Sequence, residues 1–226
     1  MNTRNLARFT MLLGILALAA QRTDASMFTF TNSSPITIND FGPATPYPLT
    51  ITVSGLNVPI LDVNVVLNGF SRTFPSDVGV LLVSPTGQKV VLMNDVGGIT
   101  PVNNVNLTFD DEASSSLSLG GPLTSGIFKP TNLAPTDAFD PPVLTAGPYA
   151  SSLSAFDGKL PTGTWSLFVK DFQSGDGGSI SGGFGLQVTV DEAPGFALLG
   201  FALLVGGFVL RKVKPFDNSR TACPQP

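Results

Sequence analysis

Apolar side chains recur at every second position through the middle of this chain, the period of a strand with one buried face. Thr164–Lys170 shows it most clearly: Trp165, Leu167 and Val169 fall on one face, Ser166, Phe168 and Lys170 on the other. Val63, Val65 and Leu67 repeat the pattern within Leu61–Leu67. Met27–Thr31, Leu49–Val53, Val105–Phe109 and Phe184–Val190 are further short runs rich in β-branched and aliphatic residues. The most continuous signal runs from Arg72 to Gly98. There Val78–Val83 and Lys89–Met93 read as two strands, and Ser84-Pro85-Thr86-Gly87 as the turn between them: Pro85 presets φ and Gly87 supplies a conformation that other residues resist. Asp77 precedes this hairpin and Asp95 follows it, so two carboxylates are expected at one edge. No helical period occurs before residue 193.

Between Glu112 and Gly163 the periodicity fades and Pro, Ser and Gly accumulate. So long a loop is unusual inside a compact domain. It is expected to hold a short edge strand around Gly126–Lys129 and otherwise to cover the surface of the strands. Roughly eight or more short strands broken by turns predict an all-β protein, a jelly-roll-type β-sandwich. The 24 Gly and 19 Pro fit that class, because each turn needs a special backbone angle.

The two ends read differently. Residues 1–25 have the form of a secretory signal peptide: Arg4 and Arg8, then the apolar run Phe9–Ala20, with Ala17-Leu18-Ala19 or Thr23-Asp24-Ala25 as the cleavage site. The alternative is an uncleaved N-terminal anchor. Pro194–Leu210 carries no charge over 17 residues and is followed by Arg211-Lys212-Val213-Lys214, the pattern of a transmembrane helix with a basic cytoplasmic flank. The alternative there is a buried core helix. The expected layout is therefore a signal peptide at 1–25, the sandwich at 26–192, a membrane or sorting segment at 193–214, and a short polar tail at 215–226.

Charge and composition narrow the chemistry. Between Ser26 and Glu192 five Lys and Arg stand against fourteen Asp and Glu, a net charge of −9. Such a surface repels phosphate backbones, which argues against nucleic acid as a partner. The chain has no histidine, so Ser-His-Asp and Cys-His catalysis, His zinc sites and His pH switches are excluded. Its single cysteine, Cys223, has no internal disulfide partner.

Six aspartates sit at strand ends or in turns: Asp77, Asp95, Asp110, Asp111, Asp171 and Asp176. Calcium takes six to eight oxygens, which loops supply through carboxylates and carbonyls, so these six are the candidate metal ligands, with Asp77, Asp110 and Asp111 as first choice and Ca²⁺ as the candidate cofactor. Against this, Asp is common in turns because it hydrogen-bonds its own backbone. Gly175-Asp176-Gly177-Gly178-Ser179 lacks the Lys of a phosphate loop and reads as a hairpin turn. Trp165 could offer a stacking platform to a sugar, but its place on an alternating strand favours the core. No catalytic residue is identified.

The middle of the chain resembles the P domain, the β-sandwich that follows the catalytic domain in kexin-like and many bacterial subtilisin-like proteases, and more closely the stand-alone version in exported bacterial proteins. The resemblance rests on Phe74-Pro75-Ser76-Asp77, Leu81-Leu82-Val83-Ser84-Pro85-Thr86-Gly87, Val91-Leu92-Met93-Asn94-Asp95-Val96-Gly97-Gly98, Phe109-Asp110-Asp111-Glu112-Ala113, Ser125–Asn132, Phe156-Asp157-Gly158, Gly163–Leu167 and Asp171–Gly183, in that order. Two positions depart: Arg72 stands where the family often has His, and Val78-Gly79 where Leu and a polar residue are usual. The C-terminal end is similar to the PEP-CTERM sorting signal of bacterial envelope proteins, with Glu192-Ala193-Pro194 in place of Pro-Glu-Pro.

Together these resemblances imply a non-catalytic module, exported and tethered to the cell envelope, that binds or supports structure at the cell surface or in the matrix. Its expected partners are the membrane, through the C-terminal helix, surface polysaccharide or another envelope protein, and a sorting transpeptidase. The alternatives are an accessory module that stabilises a separate subtilisin-like protease, and a jelly-roll hydrolase.

Overall fold

A computed structural model of the chain describes residues 25–143 and 149–191. The expected signal and membrane segments lie outside the described residues, apart from Ala25. Among the described residues no helix is long and apolar enough to cross a membrane.

The described residues form thirteen strands and two 3₁₀ turns. In chain order the strands are β1 (Ala25–Asn32), β2 (Ile36–Ile38), β3 (Gly42–Pro43), β4 (Leu49–Val53), β5 (Ile60–Arg72), β6 (Val78–Val83) and β7 (Lys89–Asn94). There follow β8 (Val102–Phe109), β9 (Gly126–Phe128), β10 (Thr131–Asn132), β11 (Gly163–Asp171), β12 (Gly178–Ile180) and β13 (Phe184–Asp191). The 3₁₀ turns are Pro75–Asp77 and Leu153–Phe156.

Two mixed sheets result. The first orders its strands β1-β13-β5-β12-β2, with β8 on the other side of β5 and β9 beyond it; the second runs β10-β7-β6-β11-β3, with β4 also on β11. Several short strands are halves of longer ones. The antiparallel register that pairs β13 with β5 continues with a small shift into β12, and β1 and β2 follow the same line on the outer side. The Pro-rich residues 44–48 divide β3 from β4 beside β11 in the same way. The parallel pairings of β9 with β8 and of β10 with β7 make both sheets mixed.

The expected hairpin is there: β6 and β7 pair antiparallel, and Gly87, at φ +88°, donates its N–H to the Ser84 carbonyl at 3.0 Å. The alternating residues named above face one another across the sheets. Val63, Val65 and Leu67 of β5 share a single core with Val80 and Leu82 of β6 and with Trp165, Leu167 and Val169 of β11. Trp165 is fully buried, donates its indole N–H to the Pro161 carbonyl at 2.8 Å and meets Phe156 edge-on at 4.9 Å, so it serves the core and not a surface platform.

The aperiodic stretch covers the second sheet. Phe168, on the opposite face of β11 from Trp165, is buried with Leu81, Val91, Phe139 and Val143 in a smaller cluster that Tyr47, Tyr149 and Phe172 flank. Phe139 meets Tyr149 and Phe172 edge-on at 5.7 and 5.8 Å. Those side chains convert a face that alternation alone would leave wet into a second apolar layer. The edge strand expected near Gly126 is β9.

Candidate functional site

Three strand ends meet at Arg72. β5 ends there, β11 ends at Asp171, and β12 begins at Gly178, directly opposite Arg72 in the register. A Cβ at Gly178 would lie 2.5 Å from the Ser71 carbonyl oxygen and 3.0 Å from Arg72 Cδ, so only glycine lets the strands close over the guanidinium. Arg72 Nη2 lies 2.7 Å from Asp171 Oδ2 and 2.7 Å from Asp176 Oδ1, and the side chains of Arg72 and Asp171 are wholly shielded from solvent. Backbone amides satisfy the remaining lone pairs. Phe41 N–H donates to Asp171 Oδ2 at 3.1 Å, Gln173 N–H to Asp171 Oδ1 at 3.0 Å, and Phe74 N–H to Asp176 Oδ2 at 3.1 Å. One fixed cation thus holds two carboxylates, the arrangement that makes a buried charge tolerable.

Asp77 is the third carboxylate of this end. Burial raises its pKa above the ordinary range; Asp171 and Asp176 push the same way, while Arg72 and the Ser76 hydroxyl, 3.2 Å from Oδ1, oppose them. Asp95 follows β7 with φ at +55°. The pairing of Val80 with Met93 puts Asp77 and Asp95 at the same end of the hairpin, as the sequence predicts, yet the charges acting on Asp77 are those of Asp171, Asp176 and Arg72.

Asp110 and Asp111 stand elsewhere, just past the end of β8. Asp111 accepts from Leu153 N–H at 3.0 Å, Ser154 N–H at 2.8 Å and the Ser152 hydroxyl at 2.5 Å, and so fastens the 3₁₀ turn that presents Phe156 to Trp165. Asp110 Oδ1 accepts from Glu112 N–H at 2.7 Å. Around them lie carboxylates that the sequence reading did not single out. Burial raises the Asp62 pKa, and Asp110 and Asp111 raise it further. Burial, then Asp62 and Asp111, raise that of Asp157. The hydrogen bond with Asp110, ahead of burial and Asp62, raises that of Glu112. Asp62, Glu112 and Asp157 thus each feel neighbouring negative charge, from Asp110 and Asp111 on Asp62, from Asp110 and Asp62 on Glu112, and from Asp62 and Asp111 on Asp157, and no cation among the described residues enters among the causes.

The six aspartates proposed as calcium ligands are thus divided among the Arg72 cluster, the Asp62 face and the end of β7. Among the described residues no three His, Cys, Asp or Glu side chains are grouped so that they could hold a metal ion. The first-choice set is not brought together: Asp77 feels Asp171, Asp176 and Arg72, whereas Asp110 and Asp111 act on Asp62, and Asp111 is occupied by two amides and a hydroxyl; of the others, a guanidinium stands between Asp171 and Asp176. Gly175–Ser179 is the connection that brings Asp176 to Arg72.

No family model matches the chain, and no curated protein matches it. Among solved structures it is similar to the crystal structure of the Aeromonas sobria serine protease and chaperone complex, at 16% identity and a TM-score of 0.37 over 79% of this chain and 29% of that one. It is also similar to the serine protease of Aeromonas sobria crystallised alone, at 14% identity and a TM-score of 0.38 over 80% of this chain and 30% of that one. The chain spans less than a third of the length of either.

Proposed function

We propose that the chain is a non-catalytic binding module of P-domain type with jelly-roll connectivity, exported and tethered to the cell envelope by its C-terminal apolar segment. Support for a binding role comes from the contrast between its two groups of carboxylates. At one end Asp171 and Asp176 are locked around Arg72. Past the other end of β5, Asp62, Glu112 and Asp157 are pushed upward by burial and by neighbouring carboxylates, with no cation among the described residues to offset them. Uncompensated charge of one sign steers partners of the opposite sign, so the occupant of this face is a cationic group on an envelope component. Export and tethering rest on the signal-like and sorting-like ends of the sequence.

The test is retention on whole cells and on surface polysaccharide, comparing the natural chain with an Asp62→Asn, Asp110→Asn, Asp157→Asn triple variant. Retention by the natural chain, lost in the variant and in high salt, supports the reading. Equal retention of both overturns the role of this face. Co-purification with a protease, without retention on cells, selects the accessory-module alternative. Turnover in a broad hydrolase screen, lost on Asp111→Ala in a chain that still folds, selects the hydrolase.

A further inference from the structure

The strand edges of the described residues are not alike. β2 and β9 have three residues, β10 and β3 have two, and β3 contains Pro43, so each offers too little backbone for another strand to pair with. β4 has five residues, and its inward row is covered: Leu49, Ile51 and Val53 are at most 5% exposed. β1 is different. It pairs over eight residues with β13 on one side, is the last strand of its sheet on the other, and contains neither charge nor proline. Lys, Pro and bulges are the usual means of blunting an edge, and β1 has none of them in an unbroken register.

Its apolar row is also left open. Phe28 lies opposite Val188 and Phe30 opposite Leu186, both partners fully buried, so the two phenylalanines point to the core side of the sheet. Phe28 is nonetheless 41% exposed. Towards the other end of β1 a cleft of about 330 Å³ separates it from β4; Phe30 and Ile51 line it together with Thr, Asn and Ser side chains, and Asn32 Nδ2 donates to the Thr50 carbonyl at 2.8 Å between the two strands. Among the described residues no strand pairs with this edge along Met27–Thr31.

We propose that the missing strand is β1 of a second copy, paired antiparallel about a two-fold axis through Thr29. The sequence around that residue is self-complementary. In this register Phe28 faces the partner's Phe30, Met27 faces the partner's Thr31, and both phenylalanine pairs fall on the core side, where aromatic cross-strand pairs are favourable. With no charge in the strand, the axis brings no like charges together. Five residues a side make a small interface, so the expected dissociation constant is on the order of 10–100 µM.

Disulfide trapping tests this on the full chain in mild detergent, which keeps the uncharged runs at the two ends from driving association. In a Cys223→Ser background, Thr29→Cys is expected to crosslink at least about fivefold faster in a glutathione redox buffer than Gln187→Cys, which lies one strand inward on the same face. Thr29→Lys, on that solvent face, is expected to weaken self-association about tenfold or more in sedimentation equilibrium, because two ammonium groups would meet at the axis. Equal crosslinking of the two cysteine variants, an unchanged mass distribution for a folded Thr29→Lys protein, or a monomer at every concentration into the millimolar range would each overturn the pairing. The last result would assign the edge to a strand from a different chain. The cysteine comparison stands even where the lysine variant fails to fold.

Discussion

Arg72 joins three strand ends through one guanidinium. Replacing it with Met removes the cation from between Asp171 and Asp176 and leaves a fully buried carboxylate with only amide donors; breaking such a pair costs about 3–5 kcal/mol. Urea unfolding of Arg72→Met should show that loss, and a change under about 1 kcal/mol would contradict it. Arg72→Lys is expected to recover only part of the stability, since an ammonium cannot present the fork that reaches Asp171, Asp176 and the Phe74 carbonyl together. Asp111→Ala should cost about 1–2 kcal/mol by the same kind of measurement, as its carboxylate serves the Leu153–Phe156 turn as a cap does a helix. Neither role could be read from residue type. A lone Arg before a Thr-Phe-Pro run gives no sign that β11 and the Gly175–Ser179 connection will return carboxylates to it from about a hundred positions away.

At the scale of elements, alternation was a good guide where one face is buried and a poor one where both are. Leu49–Val53 has the bounds its pattern predicts, and the Ser84–Gly87 turn follows from its own residues. The short strands β2, β3, β10 and β12 were not foreseen. Two or three residues hold no period, and what makes them strands is the backbone of longer neighbours already in place. Phe168 lies on the face opposite Trp165, as its place in the alternation predicts, and the aperiodic stretch covers that face as expected, but nothing in the local pattern shows that Phe139, Val143 and Tyr149 would be the side chains that seal it. Phe139→Ala should therefore open the smaller cluster first. The loss is expected near 3 kcal/mol, with amide exchange quickening in Ala134–Val143 while Val63, Val65 and Leu67 keep their protection. Uniform quickening through both sheets would mean that the covering stretch and the main core unfold as one unit.

For the molecule as a whole, charge was only partly legible: the sequence shows an acidic middle but not how its members are shared out. Asp62, Asp157 and Glu112 are held above the ordinary carboxyl range in the fold. Between the unfolded value, 3.8 for Asp, and the raised folded one, the native state binds more protons than the unfolded chain, so stability falls as pH climbs through that window. Their cost is fully present at neutral pH and is relieved as pH falls through the folded values. Asp62→Asn, which keeps an oxygen for the Asn64 side chain, is expected to raise the urea midpoint at pH 7 and to flatten its pH dependence. Added salt should raise the midpoint of the natural chain more than that of the variant. The division of the carboxylates into one neutralised cluster and one uncompensated face is most directly tested by following the side-chain carboxyl carbons of Asp62 and Asp157 by NMR through an acid titration. Both should titrate above the unfolded aspartate value, and that of Asp157 should move down when Asp62 is changed to Asn. Values at or below the unfolded one, indifferent to that substitution, would contradict it.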